Sequence, residues 1–350
     1  MQPSRSLLII NYRSASLTRE AIRTARAASQ DPLQVVVVDN SCDPAESEAL
    51  RGVDAEQVVI ADRNLGYAGG INRGAAKCQG DALIVANPDV LFRPRSIDLL
   101  VAALTPHVAM SGPAFTWDDA DRWFLPPAEM MTAATKLSEI LGAHFATFRR
   151  MRDRARTRER IRFWSNPSPR DVPALSGAVM CFPRSLLDEI GPFDERFPLY
   201  FEEIDFMRRI RQSGRALLYV PAAICRHLYG QSSGEEEAST YTLSEVEYLR
   251  KWEGDGFIRL MRWLGSGDRA SLPTALLGPD DPLTLPGTPS DYLVEVSPEG
   301  RFSSAAGHFP VARSVHIPGE SWKTYRAGEL FARVVEKTSG AEVSAWRIAR

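Results

Sequence analysis

No stretch of this 350-residue chain carries the run of roughly 20 apolar residues that a membrane-spanning helix needs. The apolar run near the start, Leu7–Ile10, has only four residues, too few for the core of a signal peptide. Cysteine is scarce. Cys42, Cys78, Cys181 and Cys225 are scattered, with no CxxC and no metal-finger spacing, so reduced thiols in a cytoplasmic protein are the simplest account. An excess of charge of either sign is also missing: the net charge is −2 and the pI near 6.3, which argues against a nucleic-acid partner. Two nucleotide signatures are absent as well. There is no G-x-x-x-x-G-K-[ST], and no GxGxxG follows the first strand-like segment. What remains is an ordinary globular composition, 44% hydrophobic and 25% charged, long enough for two domains or for one domain with additions.

The first 112 residues alternate strand-like and helix-like segments. SLLII (6–10), the β-branched run VVVVD (35–39), QVVIA (57–61), ALIVA (82–86) and HVAMSG (107–112) read as strands. SLTREAIRTARAAS, AESEALRG, GGINRGAAKCQG and SIDLLVAAL read as the helices between them. Strict alternation predicts an α/β fold, a mostly parallel sheet flanked by helices. Such sheets take ligands beyond the carboxyl ends of their strands. At those ends lie Asn11-Tyr12-Arg13, Asp39-Asn40-Ser41, RNLGYAGGINRG (63–74) and Asn87-Pro88-Asp89. Taken singly, the glycine-rich piece reads equally as a tight turn and Asp39 as a cap. Taken together, the polar residues mark one edge as the working edge.

LYFEEIDFMRRIRQSG (199–214) places three acids within four positions and then arginines. On a helical wheel Phe201, Ile204, Met207 and Ile210 share one apolar side. Glu202, Asp205 and Arg209 fall opposite, at spacings that allow ion pairs on a solvated face. Glu203 points between Met207 and Ile210, into the apolar side. Burying an unpaired carboxylate is costly, so Glu203 either bends out to cap the first turn or has a chemical task.

The remaining chain divides by composition. Residues 128–165 form a helical insertion with eight arginines between Arg149 and Arg162 and only two acids among them. That segment reads as a solvated helix or as a basic surface for anionic lipid. Strand-like ALSGAVMCF and ALLYVP bracket the acidic helix within 170–235, and 237–264 is helical. Residues 266–290 are Pro/Gly-rich, a linker, and 291–350 alternate with a period near two. A small β-rich C-terminal appendage is expected there, with a hairpin turning at Thr338-Ser339-Gly340.

The order INYRSASLT, VVVVDNS, NLGYAGGINRG, NPDV, SGAVMCFPRSLLDEIGPFDERFPLYFEEIDFMRRIRQSG and RH resembles the inverting glycosyltransferases of family 2, with the GT-A fold. Within them it is most similar to rhamnosyltransferase-type members that extend bacterial surface polysaccharides. The resemblance covers roughly residues 6–235 of a domain spanning 1–265, in which 1–112 binds the nucleotide and 170–235 faces the acceptor. It implies a nucleoside-diphosphate sugar donor, Mg²⁺ or Mn²⁺, and a glycan or lipid-linked acceptor. Enzymes of this kind work at the cytoplasmic side, with a peripheral membrane contact expected through Arg149–Arg162. By position, Asn11, Tyr12, Arg13, Asp39, Asn64, Gly70, Asn72 and Asp89 would line the donor nucleotide site. Asp89 and His227 would meet the metal, and Ser176, Gly177 and Asp205 would stand on the acceptor side. Glu203, with Glu202 as the alternative, would be the general base; the family usually has aspartate there. The rival is a nucleotidyltransferase, which shares the sheet and metal-binding acid. INYRSAS, with one arginine and no glycine, lacks the signature such an enzyme uses to hold a triphosphate.

Overall fold

The computed structural model describes residues 4–197, 199–228, 235–265, 273, 275–324 and 328–349. The expected alternation opens the fold: β1 (Arg5–Asn11), α1 (Ala15–Ala28), β2 (Leu33–Asp39), α2 (Pro44–Leu50), β3 (Gln57–Ile60), α3 (Gly66–Ala75) and β4 (Ala82–Ala86). Next come β5 (Val90–Phe92), α4 (Ser96–Ala102), β6 (Val108–Thr116) and β7 (Trp123–Phe124). The arginine-rich insertion is two helices, α5 (Ala133–His144) and α6 (Ala146–Ser165), broken at the extended residue Phe145. The acidic stretch lies within β8 (Arg170–Asp171), β9 (Val179–Pro183), α7 (Leu186–Ile190), α8 (Glu202–Gln212) and β10 (Ala216–His227). Helix α9 (Glu235–Leu264) follows, kinked at Gly254. The chain closes with β11 (Leu276–Leu277), β12 (Leu283–Thr284), β13 (Tyr292–Ser297), β14 (Ala306–His308), β15 (Ser314–Val315), β16 (Glu329–Glu336) and β17 (Glu342–Ala349). Residues 266–272 and 274 of the expected linker, and the GQSSG segment at 230–234, lie outside the described residues.

Strands β3-β2-β1-β4 run parallel, so Asn11, Asp39 and Ala86 all end on one edge. Their continuous apolar runs are buried on both faces. Leu7, Ile9, Val35, Val37 and Ile84 pack against α1 and α4. Leu8, Ile10, Val36, Val38, Leu83 and Val85 point the other way, into a core shared with α3 and α8. β9 then inserts antiparallel between β4 and β6, and β10 runs parallel to β6. That antiparallel strand turns the chain back so that the acidic helix α8 reaches the same edge as the nucleotide half.

The C-terminal strands do not stand apart. Pairing of β14 with β7 (Gly307 with Phe124, His308 with Trp123) carries the sheet onward through β13, β16 and β17. These added pairs are antiparallel around a core of Trp117, Trp123, Val294, Val296, Val334 and Ile348. β16 and β17 meet in the hairpin about Thr338–Gly340.

Candidate active site

Five pieces of chain meet beyond the parallel edge. Asn11 closes β1 fully buried, and its amide donates to Glu46 Oε1 at 3.0 Å while its carbonyl accepts from Thr18 at 2.8 Å. Beside it Asp39 accepts from the Ser47 hydroxyl at 2.6 Å and the Ser41 N–H at 3.0 Å. Burial pushes the Asp39 carboxyl up, but these donors outweigh it and hold the group below its ordinary value, ionised. Tyr12 and Arg13 continue into the open. Tyr12 is half-exposed, and Arg13 adopts φ +52° with its N–H on Ser41 Oγ at 2.8 Å and its guanidinium over the Tyr12 ring.

Asn40, marked in the sequence only as part of the Asp39-Asn40-Ser41 strand end, clamps the glycine-rich loop. Its amide donates to Gly66 O at 2.8 Å and accepts from the Leu65 N–H at 3.2 Å. Asn64 is exposed and accepts from the Gly66 N–H at 2.9 Å, opening α3 toward the edge. Gly70 lies where a Cβ would come 2.8 Å from Ile10 Cγ2, so its visible task is helix-to-strand packing. The Asn72 side chain is committed elsewhere: it donates to Phe193 O and Glu195 Oε1, both at 2.9 Å, and accepts from the Phe193 N–H at 3.0 Å. It holds the loop before α8.

The turn after β4 is tied across the sheet by Asn87 N–H to Ala178 O at 2.9 Å. There Asp89 Oδ1 stands 3.2 Å from His227 Nε2, the last residue of β10. Burial pushes Asp89 up, and His227 beside it more than offsets this, leaving the carboxyl below its ordinary value. Among the described residues, no group of three His, Cys, Asp or Glu is arranged to hold a metal ion.

Ser176 and Gly177 lead into β9, and the Ser176 hydroxyl accepts from the Ala178 N–H at 3.3 Å. Gly177 faces Glu203 directly: a Cβ there would stand 2.7 Å from Glu203 Cγ. Tyr67, unmarked by sequence reasoning except as part of NLGYAGG, donates to Gly177 O at 3.3 Å. Burial and then the charges of Glu202, Glu203 and Asp89 push its phenol well up, so Tyr67 stands amid these carboxyls.

The solvated face expected for Glu202 and Asp205 is corrected by the structure. Helix α9 covers that side. Asp205 is fully buried, accepting from Arg209 Nε at 2.9 Å, Lys251 Nζ at 2.6 Å and Trp252 Nε1 at 2.9 Å. Its contacts join α8 to α9. Glu202 is 2% exposed, and Glu202 and Glu203 each keep one buried carboxyl oxygen without a hydrogen-bond partner. Burial raises both carboxyls, Glu202 further because the Glu203 charge adds to it, so the pair keeps a proton that an exposed pair would lose. Two successive left-handed residues, Tyr200 (φ +68°) and Phe201 (φ +71°), aim this pair. The Phe201 ring, 5.2 Å from Tyr241 and 5.3 Å from Tyr248, fixes that strained turn against α9. Tyr241 lies so far along the chain that no local pattern linked it to the acids.

The family described as glycosyltransferase like family 2 matches residues 3–250. An N-acetylglucosaminyl-diphospho-decaprenol L-rhamnosyltransferase of Mycobacterium tuberculosis is 30% identical over 249 residues, 67% of this chain and 78% of that one. A low-salt glycan biosynthesis hexosyltransferase of Haloferax volcanii is 26% identical over 213 residues, 59% of this chain and 61% of that one. Among solved structures, the mannosyltransferase PcManGT of Pyrobaculum calidifontis, bound to GDP-Man and Mn²⁺, superposes with a TM-score of 0.50 at 15% identity. It covers 72% of this chain and 64% of its own, a likeness of fold. Family match and fold converge: the chain belongs to the family 2-like glycosyltransferases and is a glycosyltransferase of GT-A fold.

Proposed function

We propose that this enzyme moves a sugar, rhamnose first among the candidates, from a nucleoside-diphosphate donor to a hydroxyl of a lipid-linked glycan, with inversion. The observation that carries the reading is the buried Glu202–Glu203 pair, each with an unpartnered carboxyl oxygen, beside Asp89 and Tyr67. A buried acceptor atom without a donor is costly in a finished core and useful where a substrate hydroxyl supplies the missing donor. Glu203, ionised, takes the proton of that hydroxyl. The hydroxyl oxygen forms its bond to the anomeric carbon, and the bond to the diphosphate oxygen breaks on the opposite face, giving inversion. Glu202, raised further than its neighbour, is the one of the two that holds a proton more readily.

The donor would lie along the carboxyl edge, its base and ribose near Asp39, Asn11, Tyr12 and Arg13, its diphosphate near the start of α3. Asn64, Gly70 and Asn72 would serve mainly by shaping that helix start. Asp89 and His227 offer one hard oxygen and one imidazole nitrogen, which suits Mg²⁺ or Mn²⁺ if diphosphate oxygens complete the shell. When bound, that cation neutralises charge on the leaving diphosphate. Ser176 and Gly177 would border the acceptor, and Asp205 would hold their helical neighbour in place.

The acceptor class is supported by the mycobacterial relative, whose name specifies a diphospho-decaprenol substrate. No helix among the described residues is long and apolar enough to cross a membrane. The exposed arginines of α6 offer a peripheral contact with such an acceptor. Membership of the transferase family sets the nucleotidyltransferase alternative aside. The test is calorimetry with a panel of nucleoside diphosphates and diphospho-sugars, with and without Mn²⁺ or Mg²⁺. Metal-dependent binding of one diphosphate supports the reading and names the base. Binding of no diphosphate would sink it.

A further inference from the structure

Five of the eight arginines of α6 fall into two sets. Arg160 is buried and donates to Glu295 Oε1 at 3.2 Å and Phe302 O at 2.8 Å; Arg156 donates to Asp153 at 3.1 Å and Arg301 O at 2.8 Å. Glu295 is also paired with Arg333 at 2.5 Å, so this set bolts α6 to the C-terminal strands. Arg150, Arg154 and Arg158 form the other set. They follow at i, i+4 and i+8 on one face, all exposed, and none has a hydrogen-bond or ion-pair partner among the described residues.

These three line an open cleft of about 450 Å³, together with Thr147, Met151 and Ser339. Its far wall is the β16–β17 turn. Gly340, at φ +66°, comes so near α6 that a Cβ would stand 2.7 Å from Arg154 O. The Ser339 hydroxyl donates within its own turn, to Glu336 at 2.5 Å. Three guanidinium groups stepped about 6 Å apart along a helix repel one another. Held without an ion-pair partner among the described residues, they are suited to phosphate oxygens, which guanidinium forks bind in bidentate fashion.

The same helical hairpin exposes apolar side chains. Leu141, Phe145 and Met151 are 39%, 60% and 59% exposed. The His144 ring meets Leu264 O at 2.9 Å, which brings Trp263, 81% exposed, to that end of the hairpin. Aromatic and aliphatic side chains beside arginines are the composition of a surface lying in the lipid headgroup layer. We propose that the cleft between α6 and the β16–β17 turn binds the phosphates of anionic lipid headgroups and seats the α5–α6 hairpin on the bilayer surface. This deepens the membrane contact of the proposed function and rests on that reading.

The test is co-sedimentation of the full chain with vesicles of phosphatidylglycerol in phosphatidylcholine, and of phosphatidylcholine alone. The parent is compared with the triple variant Arg150→Gln, Arg154→Gln, Arg158→Gln, and with a charge-matched control, Arg23→Gln, Arg51→Gln, Arg250→Gln. The triple variant should bind anionic vesicles about a hundredfold more weakly, while the control keeps most of the parent's affinity. Gly340→Ala, which alters the far wall without changing charge, should weaken binding in the same direction. Equal binding by parent and triple variant, or equal loss in the control, would overturn the proposal. Inorganic pyrophosphate is the competing soluble anion. If it binds the parent and displaces vesicles while the triple variant ignores it, the cleft takes soluble phosphates and the lipid source is wrong. Donor binding in solution is read on the same samples; its absence in the parent would count against the transferase mechanism and not against the cleft.

Discussion

Gly177 and Glu203 touch so closely that no side chain fits between them: a Cβ on Gly177 would lie 2.7 Å from Glu203 Cγ and 3.2 Å from its Cδ. Gly177→Ala therefore has to push the carboxylate aside. The displacement is small, but proton transfer depends on the reach of the base. The expected result is a loss of about a hundredfold in kcat with donor affinity unchanged. Steady-state kinetics with calorimetric donor binding checks it. Unchanged kcat would show that Glu203 is not the base.

A second expectation follows from the raised carboxyls of Glu202 and Glu203. The folded protein holds a proton there above the ordinary glutamate value of 4.5. Such a group contributes its full stability below that value and loses it as pH rises through the folded value. Glu203→Gln and Glu202→Gln remove the loss, so both variants should be more stable than the parent at pH 8. At pH 4 the gap should close. Glu203→Gln should also abolish transfer while keeping donor binding. Denaturation curves at both pH values decide the first point, and a variant less stable than its parent at pH 8 would refute it.

How far the sequence speaks depends on where each element finds its partners. The runs of β1, β2 and β4 are legible because strands buried on both faces must be apolar throughout. The two- and three-residue strands β5, β7 and β8 are not, since their pairing is set by distant chain. The direction of β9 is equally invisible, because an apolar run does not state which way it runs. The wheel of α8 turned Glu203 toward the apolar side, and its half-buried side chain lies against Gly177. It misjudged Glu202 and Asp205, whose side is roofed by α9, some forty residues later. Asn72 and Gly70 belong to a recognisable motif, yet their contacts with Phe193 and Ile10 appear only when the chain is folded. The eight arginines of α6 look alike in sequence. Only their surroundings separate buried Arg160 from exposed Arg154.

Asp89 and His227 hold each other at 3.2 Å and would give up that contact to a shared cation. Asp89→Ala should abolish metal-dependent donor binding, with stability little changed. His227→Ala should weaken it less, by about tenfold, since the imidazole is a neutral ligand and the carboxylate supplies the charge. Donor titrations with and without Mn²⁺ separate the two. If Asp89→Ala still binds donor in a metal-dependent way, the cation is held elsewhere.

Asp205 carries the last expectation. Its carboxylate accepts from Arg209, Lys251 and the Trp252 N–H, and Lys251 is shared with Asp194 at 2.7 Å. Asp205→Ala leaves Arg209 facing a buried gap without its carboxylate, and Lys251 beside it with Asp194 alone. Loss of one partner of a fully buried pair costs about 3–5 kcal/mol, and partial exposure of Arg209 and Lys251 reduces this to about 2–3 kcal/mol. The damage should reach the active site, because α9 also pins the strained Tyr200–Phe201 turn that aims Glu203. Lys251→Met in the Asp205→Ala background removes the ammonium facing the gap, while Asp194 keeps Arg196 at 2.6 Å, so it should restore part of the stability and part of kcat together. Urea denaturation and kinetics of the single and double variants check this cycle. Stability recovered without kcat would mean that α9 supports the fold but does not aim the base.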